Sequence, residues 1–511
     1  MQPDSAEQVS LSPTHVRKLA KGTLVSLVGK VIATPLRFFV PILLARWLGP
    51  DAFGLYAIGW TILGIVEAIA PLGLDQGVVR FSAPQVRQDR AELTSILFQS
   101  IGMAGLSGLL CSGVLFVAAP WLATHVYNKP ALALVIQLFV LAFPAVAVGV
   151  VAVAATRISQ RMEFSVIVTD LCLPMLNLAL VVTMVKVGWG LVGAVAAGVL
   201  AYNAAACLAV YFVRRLYWKV GAPGRPGALM VKELLAFSVP ASLSGIVVFL
   251  IYRIDRLLLG YFRPEGEVGI YQAVGQFSTL FEFILAAFVS ILVPMIVDLV
   301  QHQGKPQLEA LYRLSTKWGL YLATPIVLVI CFAPREIMTV VFGAPYAGGW
   351  LPLVILALGQ LMNVAAVAVG ALHVMTGHQN RWLAVTAGIL LLDLVLCVWL
   401  VPRWGPLGAA VSTAASLACM FMAGTIGVKQ VLGIWPYDRR LRKGLAAVTV
   451  ASLAAAAISS LALPPVFKVL AVGVAVVTAF GATLTLLKFE AEDLEFVRLL
   501  VARLPWLRSS L

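Results

Sequence analysis

Apolar stretches of about 20 residues, each long enough to carry a helix across roughly 30 Å of hydrocarbon, succeed one another along nearly the whole of this 511-residue chain. A soluble core cannot absorb such a series, because helices that are apolar all round must be buried on every side. Fourteen can be counted, centred near Ala33, Thr61, Gly105, Ala142, Pro174, Gly198, Val247, Ala286, Ile326, Leu361, Leu391, Leu417, Ala451 and Val476. Only 12% of the residues are charged, 61% are hydrophobic, and the mean hydropathy is +0.96, far from soluble composition. The expected fold is all-α, a polytopic membrane protein of about fourteen transmembrane helices.

Lysine and arginine set the orientation, since cytoplasmic loops retain them. With both termini cytoplasmic, 26 of the 37 lie inside, seven outside and four (Lys30, Arg37, Arg253, Arg256) within spans. That bias accounts for the net charge of +14 without nucleic acid as a partner. The polar N-terminal stretch bearing Arg17, Lys18 and Lys21 runs into a full-length span with no small-residue cleavage site, so the first helix is expected to be a retained anchor. The six cysteines (Cys111, Cys172, Cys207, Cys331, Cys397, Cys419) fall inside predicted helices with no CxxC spacing, which indicates neither a disulfide framework nor a zinc site.

The chain repeats itself. Ser26-Leu27-Val28-Gly29, Arg37 and Gly54-Leu55-Tyr56 return as Ser242-Leu243-Ser244-Gly245, Arg253 and Gly269-Ile270-Tyr271. The sixth span opens Trp189-Gly190-Leu191-Val192-Gly193-Ala194 and the twelfth Trp404-Gly405-Pro406-Leu407-Gly408-Ala409. Six spans per unit place both repeats the same way up, related by an axis along the bilayer normal around a central cavity. The expected organisation is a cytoplasmic N-terminal segment (1–18), a first six-helix bundle (19–216), a Gly/Pro-rich cytoplasmic linker (217–232), a second bundle (233–428), two additional spans (441–488) and a cytoplasmic amphipathic tail (489–511).

The duplication carries a charge with it. Arg37 lies roughly 16 Å below the outer end of its span at 1.5 Å per residue, near the midplane, and Lys30, seven residues earlier, shares its helix face. Two such cations, each costing about 3 kcal/mol at the bilayer centre, imply a face that meets water or an anion, and Pro35 and Pro41 are expected to bend that helix. Arg253 and Arg256 flank Asp255 about 12 Å from the outer end of span seven, so facing the cavity and snorkelling to headgroups are both open. Glu67, Asp75, Asp170, Glu282 and Asp393 are intramembrane carboxylates. Such a group can exchange a proton, as a proton-coupled transporter requires, or can simply pair with a buried cation; Glu67, the deepest and next to the cationic span, is the leading coupling residue.

Enzyme chemistry has no foothold here. Gly29-Lys30-Val31 lacks the other residues of a phosphate-binding loop. None of the five histidines (His15, His125, His302, His373, His378) has metal-ligand spacing, and no cofactor or metal is expected. A membrane-embedded glycan polymerase would show a large external catalytic loop, whereas every external loop here is short.

Leu48-Gly49-Pro50-x-x-Phe53-Gly54-Leu55-Tyr56-Ala57, Arg253-Ile254-Asp255-Arg256-Leu257-Leu258-Leu259-Gly260, and Gly377-His378-Gln379-Asn380 followed by Pro402-Arg403-Trp404-Gly405-x-x-Gly408-Ala409 resemble polysaccharide exporters of the Wzx flippase type. That family shares a superfamily with lipid II flippases and multidrug extruders. The resemblance covers roughly residues 18 to 430. It implies a non-enzymatic flippase in the bacterial cytoplasmic (inner) membrane, moving a polyprenyl-pyrophosphate-linked oligosaccharide outward by alternating access for O-antigen, capsule or exopolysaccharide assembly. Membrane lipids, a polysaccharide polymerase and chain-length machinery are the implied partners. Lys30, Arg37, Arg253 and Arg256 would then bind the pyrophosphate. Tyr56, Trp60 and Tyr271 would stack on sugars or form an interfacial belt. The alternative is an ion-coupled multidrug or organic-cation extruder of the same superfamily, which the excess of cations in spans one and seven disfavours.

Overall fold

The computed structural model describes residues 13–88, 90–159, 161–217, 228–301, 304–437 and 441–487. The expected tail lies outside the described residues, as do most of the N-terminal segment and the middle of the linker. Every described regular element is helical, and among the described residues 11 segments are long and apolar enough to cross a membrane. Two of them, Ile32–Ser82 with 51 residues and Met162–Tyr217 with 56, are long enough to cross twice at 1.5 Å per residue.

The chain forms two compact units, Met1–Gln276 with Leu390–Ser412, and Phe277–Ile389 with Thr413–Leu511. The first holds α1 (Pro13–Ile69), α2 (Leu74–Gln88), α3 (Arg90–Trp121), α4 (Ala131–Phe139), α5 (Phe143–Ile158), α6 (Met162–Val166), α7 (Leu173–Met184), α8 (Gly190–Tyr217), α9 (Ala228–Ile251), α10 (Ile254–Phe262) and α11 (Glu265–Gln276). The second is built on α12 (Ser278–Gln301), α13 (Lys305–Phe332), α14 (Pro334–Phe342), α15 (Trp350–Ala365), α16 (Val369–Met375), α17 (Gln379–Trp404), α18 (Pro406–Leu432), α19 (Leu441–Ser459) and α20 (Pro465–Leu486), with the last part of α17 and the start of α18 belonging to the first unit.

Helical backbone runs through Pro35 and Pro41 and departs instead at Gly49, with φ 75° and ψ 173°. A proline inside a helix forfeits one hydrogen bond but keeps a helical φ, whereas the residue before Pro50 is pushed out of the α region, and a glycine there accepts the left-handed φ. Spans one and two therefore meet at a corner with no loop. A second break, Ala70 to Gly73, divides span two; Leu72 and Gly73 take φ of 53° and 69°, and short turns satisfy the freed groups, Leu72 N donating to Ile69 O at 2.9 Å and Leu74 N to Pro71 O at 2.9 Å. Span seven breaks likewise between α9 and α10, at Tyr252 and Arg253.

The tightest crossing in the first unit joins the repeated Gly-x-Tyr motifs. A Cβ at Gly54 would fall on the Glu265 carbonyl, and one at Gly269 would fall on the Pro50 carbonyl. The contact is reciprocal, each glycine meeting the residue four before the other. Lys129, in the loop before α4, closes the same region: its Nζ donates to the carbonyls of Gly260 (2.7 Å), Arg263 (2.9 Å) and Tyr127 (3.2 Å), completing the end of α10 as a C-terminal cation should. In the second unit, Ala447, Ala451 and Ala455 form one fully buried stripe of α19 against Tyr321, Leu328 and Phe480, and Lys468 pairs with Glu336 at 2.9 Å.

Candidate functional site

A cavity of about 180 Å³ opens inside the first unit, walled by small and aliphatic side chains of α5 and α8 such as Ala145, Gly149, Val153 and Ala206. Into this apolar wall project Glu67, Asp75, Arg157, Thr169 and Tyr202. Glu67 and Asp75 reach it because they flank the break in span two, which turns the end of α1 and the start of α2 toward one space. The Tyr202 hydroxyl donates to Glu67 Oε2 at 3.4 Å, and the charges of Arg37 and Arg253 both reach the Glu67 carboxyl.

Arg37 is anchored from the far wall. Its Nη2 donates to the Thr169 carbonyl at 2.9 Å and lies 3.5 Å from Asp170 Oδ1. Thr169 and Asp170 belong to a π-helical stretch, Ile167–Cys172, a wide turn often found at functional sites. The Arg37 side chain remains 58% exposed while Asp170 is 13% exposed. Lys30, on the same helix, is also exposed.

The second cationic pair behaves differently. Arg253 sits half-buried at the start of α10. Arg256 is buried, donating Nη1 to the Tyr252 carbonyl at 2.9 Å, with Asp255 Oδ1 3.9 Å from the same nitrogen. Asp255 also accepts the Arg256 backbone N–H at 2.8 Å and the Tyr271 hydroxyl at 2.6 Å. This closed network ties α10 to α11.

Of the remaining carboxylates, Asp393 is fully buried on α17, its Oδ1 accepting the Ser412 hydroxyl at 2.8 Å, and Glu282 is exposed on α12 in the second unit. The fold thus brings Glu67 and Asp75 to one cavity wall, with Arg37 joined to that wall through the Thr169 carbonyl and lying beside Asp170, while Glu282 belongs to the second unit. Tyr56 and Tyr271 are buried, so neither offers a ring face to a sugar or to an interface; Tyr56 stacks instead on Trp60 at 5.6 Å between ring centres.

A family model for polysaccharide biosynthesis proteins matches residues 19–300, more than half of the chain. The chain belongs to this polysaccharide biosynthesis protein family. The matched region contains all four intramembrane cations and the whole cavity. Among relatives, the probable low-salt glycan biosynthesis flippase Agl15 of Haloferax volcanii is 24% identical over 403 residues, 78% of this chain and 81% of that protein. The succinoglycan biosynthesis transport protein ExoT of Rhizobium meliloti is 25% identical over 360 residues, 68% of each. Among solved structures, the lipid II flippase MurJ in an inward closed conformation aligns with a TM-score of 0.73 at 11% identity over 90% of this chain and 98% of that one, a likeness of fold. This polysaccharide biosynthesis protein is therefore a multi-pass membrane protein with the fold of that flippase.

Three residues of the site escaped the sequence reading. Tyr202 lies in an Ala-rich run, Leu200-Ala201-Tyr202-Asn203-Ala204, where two adjacent polar groups in a span were the available signal. Arg157 was counted with the inner loops, yet it lines the cavity, its Nε donating to Ser165 Oγ at 3.1 Å. Thr169 acts through its carbonyl, which no side-chain pattern reveals.

Proposed function

We propose that this protein flips a polyprenyl-pyrophosphate-linked oligosaccharide from the cytoplasmic to the outer leaflet, with Arg37 meeting the pyrophosphate. One observation carries the reading: Arg37 lies on a membrane-spanning helix, yet its side chain is more than half exposed. A cation so placed, worth about 3 kcal/mol against insertion at the centre of a bilayer, belongs on a path for water and anions rather than against lipid. Arg37 offers the planar donor set that suits phosphate oxygens. Lys30 and Arg253 would add charge along that path, while Arg256, enclosed by its own network, would act only through its field. Two six-helix repeats, 19–216 and 233–428, would rock around the site while the prenyl tail stays in lipid. Glu67, between the cations and Tyr202, would carry the coupling proton. The names of Agl15 and ExoT support glycan transport, and the product would pass to the polymerase and chain-length machinery in the inner membrane.

The test is mass spectrometry of membrane lipids from a strain depleted of the protein, complemented with wild type or Arg37→Ala. Accumulation of a lipid-linked saccharide, relieved by wild type and not by Arg37→Ala at equal abundance in the membrane, is the expected result. Unchanged lipids on depletion would sink the flippase reading, and full complementation by Arg37→Ala would remove the central-cation mechanism.

A further inference from the structure

We propose that Asp170, with the carbonyl of Thr169, is a built-in stand-in for the substrate's anionic headgroup: it occupies Arg37 when the site is empty and is displaced when the headgroup arrives. This rests on the flippase reading above and adds a positioning residue to it.

The geometry favours an exchangeable partner over a fixed ion pair. The Arg37 guanidinium makes one good hydrogen bond, 2.9 Å to the Thr169 carbonyl, and one long contact, 3.5 Å to Asp170 Oδ1, well short of the paired, short bonds of a forked arginine–carboxylate interaction. Its side chain is 58% exposed, so an anion can approach from the open side without unpacking the helix. Asp170, by contrast, is held in place. It is 13% exposed, and a Cβ added at Gly29 would meet Val166 Cγ1 first and then Asp170 Cβ at 3.3 Å and Oδ2 at 3.4 Å, so the repeat-motif glycine leaves room for this face of the turn at 166–170 beside α1, two turns before Arg37.

The π-helical register of Ile167–Cys172 supplies the second half of the device. A wide turn leaves main-chain oxygens less committed to the helix ladder, and here the Thr169 carbonyl accepts the guanidinium. Carbonyl and carboxylate together mimic two oxygens of a phosphate. Other charged groups nearby are otherwise placed: Glu163 of α6 pairs with Arg161 at 3.5 Å, Arg157 donates to Ser165, and Glu67 accepts from Tyr202.

The sense of this arrangement is competitive. Without a stand-in, Arg37 would bear the cost of an unpaired cation in every empty passage through the membrane; with one, the headgroup gains only the difference between its own contacts and those of Asp170. Affinity is held down and release is eased, as a carrier that must let go on the far side requires.

The experiment measures binding of farnesyl diphosphate, a soluble prenyl diphosphate, to the full-length protein in lipid nanodiscs, for wild type, Asp170→Asn, Arg37→Ala and the double variant. Asp170→Asn is expected to bind up to about fivefold more tightly, the scale of losing one partly exposed ion pair, and to flip more slowly. Asp170→Glu, which keeps the charge, should bind like wild type, and Glu163→Gln, which removes an equal charge elsewhere, should not tighten binding. The decisive comparison is the double variant: removing Asp170 should have no effect once Arg37 is gone. Weaker or unchanged binding in Asp170→Asn, or tightening that persists without Arg37, overturns the exchange while leaving the flippase reading in place. Absence of saturable binding to wild type and all variants overturns the headgroup reading together with the exchange.

Discussion

The crossing of the two repeated glycines sets up a sharp test of the fold. A methyl group added at Gly54 would lie 2.7 Å from the Glu265 carbonyl carbon and 2.9 Å from the Gly269 nitrogen, inside the 3.4–4 Å of ordinary contact. Both obstacles are backbone, so no rotamer change relieves them and the two helices must separate. Overpacking of this kind costs about 1–3 kcal/mol, and the rigid neighbours place Gly54→Ala at the upper end. Alanine recovers up to about 1 kcal/mol through helix propensity, which leaves a net loss of about 2 kcal/mol. Gly269→Ala meets the Pro50 carbonyl carbon at 2.8 Å and the Gly54 nitrogen at 3.1 Å and should cost the same. Because both methyl groups enter one gap, the second comes more cheaply once the first has parted the helices, and the double variant should lose about 3 kcal/mol rather than 4, a coupling typical of residues in contact. Equilibrium unfolding in detergent micelles measures all three. Gly113→Ala is the control, since no atom lies within 4 Å of its new Cβ, and it should be neutral or slightly stabilising. Losses under 0.5 kcal/mol for the single variants, on the scale of ordinary surface changes, or strict additivity in the double, would refute the reciprocal crossing.

Two further outcomes follow from named contacts. Lys129→Met keeps the apolar stem and removes the donors, stranding the carbonyls of Gly260 and Arg263; an unsatisfied buried group costs about 1–3 kcal/mol, partly offset by no longer burying an ammonium, so a net loss of about 2 kcal/mol is expected in thermal unfolding, and equal melting of the two proteins would refute it. Burial lowers the Lys129 ammonium below the usual lysine range, with Glu265 partly restoring it. The folded protein therefore gives up this proton before the unfolded chain does, and the advantage of wild type over Lys129→Met should grow as pH rises toward 10.5. Glu67→Gln retains an acceptor for Tyr202 and removes the charge; flipping in proteoliposomes should lose its response to an imposed pH gradient, and an unaltered response would end the assignment of Glu67 to coupling.

The helices were legible because hydropathy at the scale of 20 residues is a thermodynamic demand of the bilayer, indifferent to tertiary detail. Their interruptions were not. Pro35 and Pro41 drew attention as breakers, yet the backbone departs at Gly49, where glycine and the following proline act together, and again at Leu72 and Gly73. The site was legible in part for the same reason. Arg37, Glu67, Asp75 and Asp170 stand out as charges in apolar runs, which is a local property. That Glu67 and Asp75 line one cavity depends on the break in span two, and that Arg37 meets Thr169 and Asp170 depends on a π-helical turn at Ile167–Cys172, which shifts the phase of everything after it and defeats any count based on 3.6 residues per turn. Tyr56 and Tyr271 show the converse: aromatic type and predicted depth suggested an interface, whereas the glycines two residues earlier bring α1 and α11 so close that both rings are sealed inside.

The charges themselves argue for a site that works by exchange. An isolated cation or carboxylate at mid-membrane is costly, and among the described residues the deep ones meet partners within the first unit: Arg256 with Asp255, Asp393 with Ser412, Glu67 with Tyr202, Arg37 with Thr169 and Asp170. Counting basic residues in the spans therefore overstates the field an incoming anion meets. What distinguishes Arg37 is the quality of its bonding, one long carboxylate contact and an open flank, against the enclosed network around Arg256. A ligand can win Arg37 because little is lost when its present partners let go, whereas Arg256 could be recruited only by breaking its contacts with Tyr252 and with Asp255, the residue through which Tyr271 of α11 is bound to α10. On the proposed reading, affinity for an anion is thus set less by how many cations the spans contain than by which of them is loosely held.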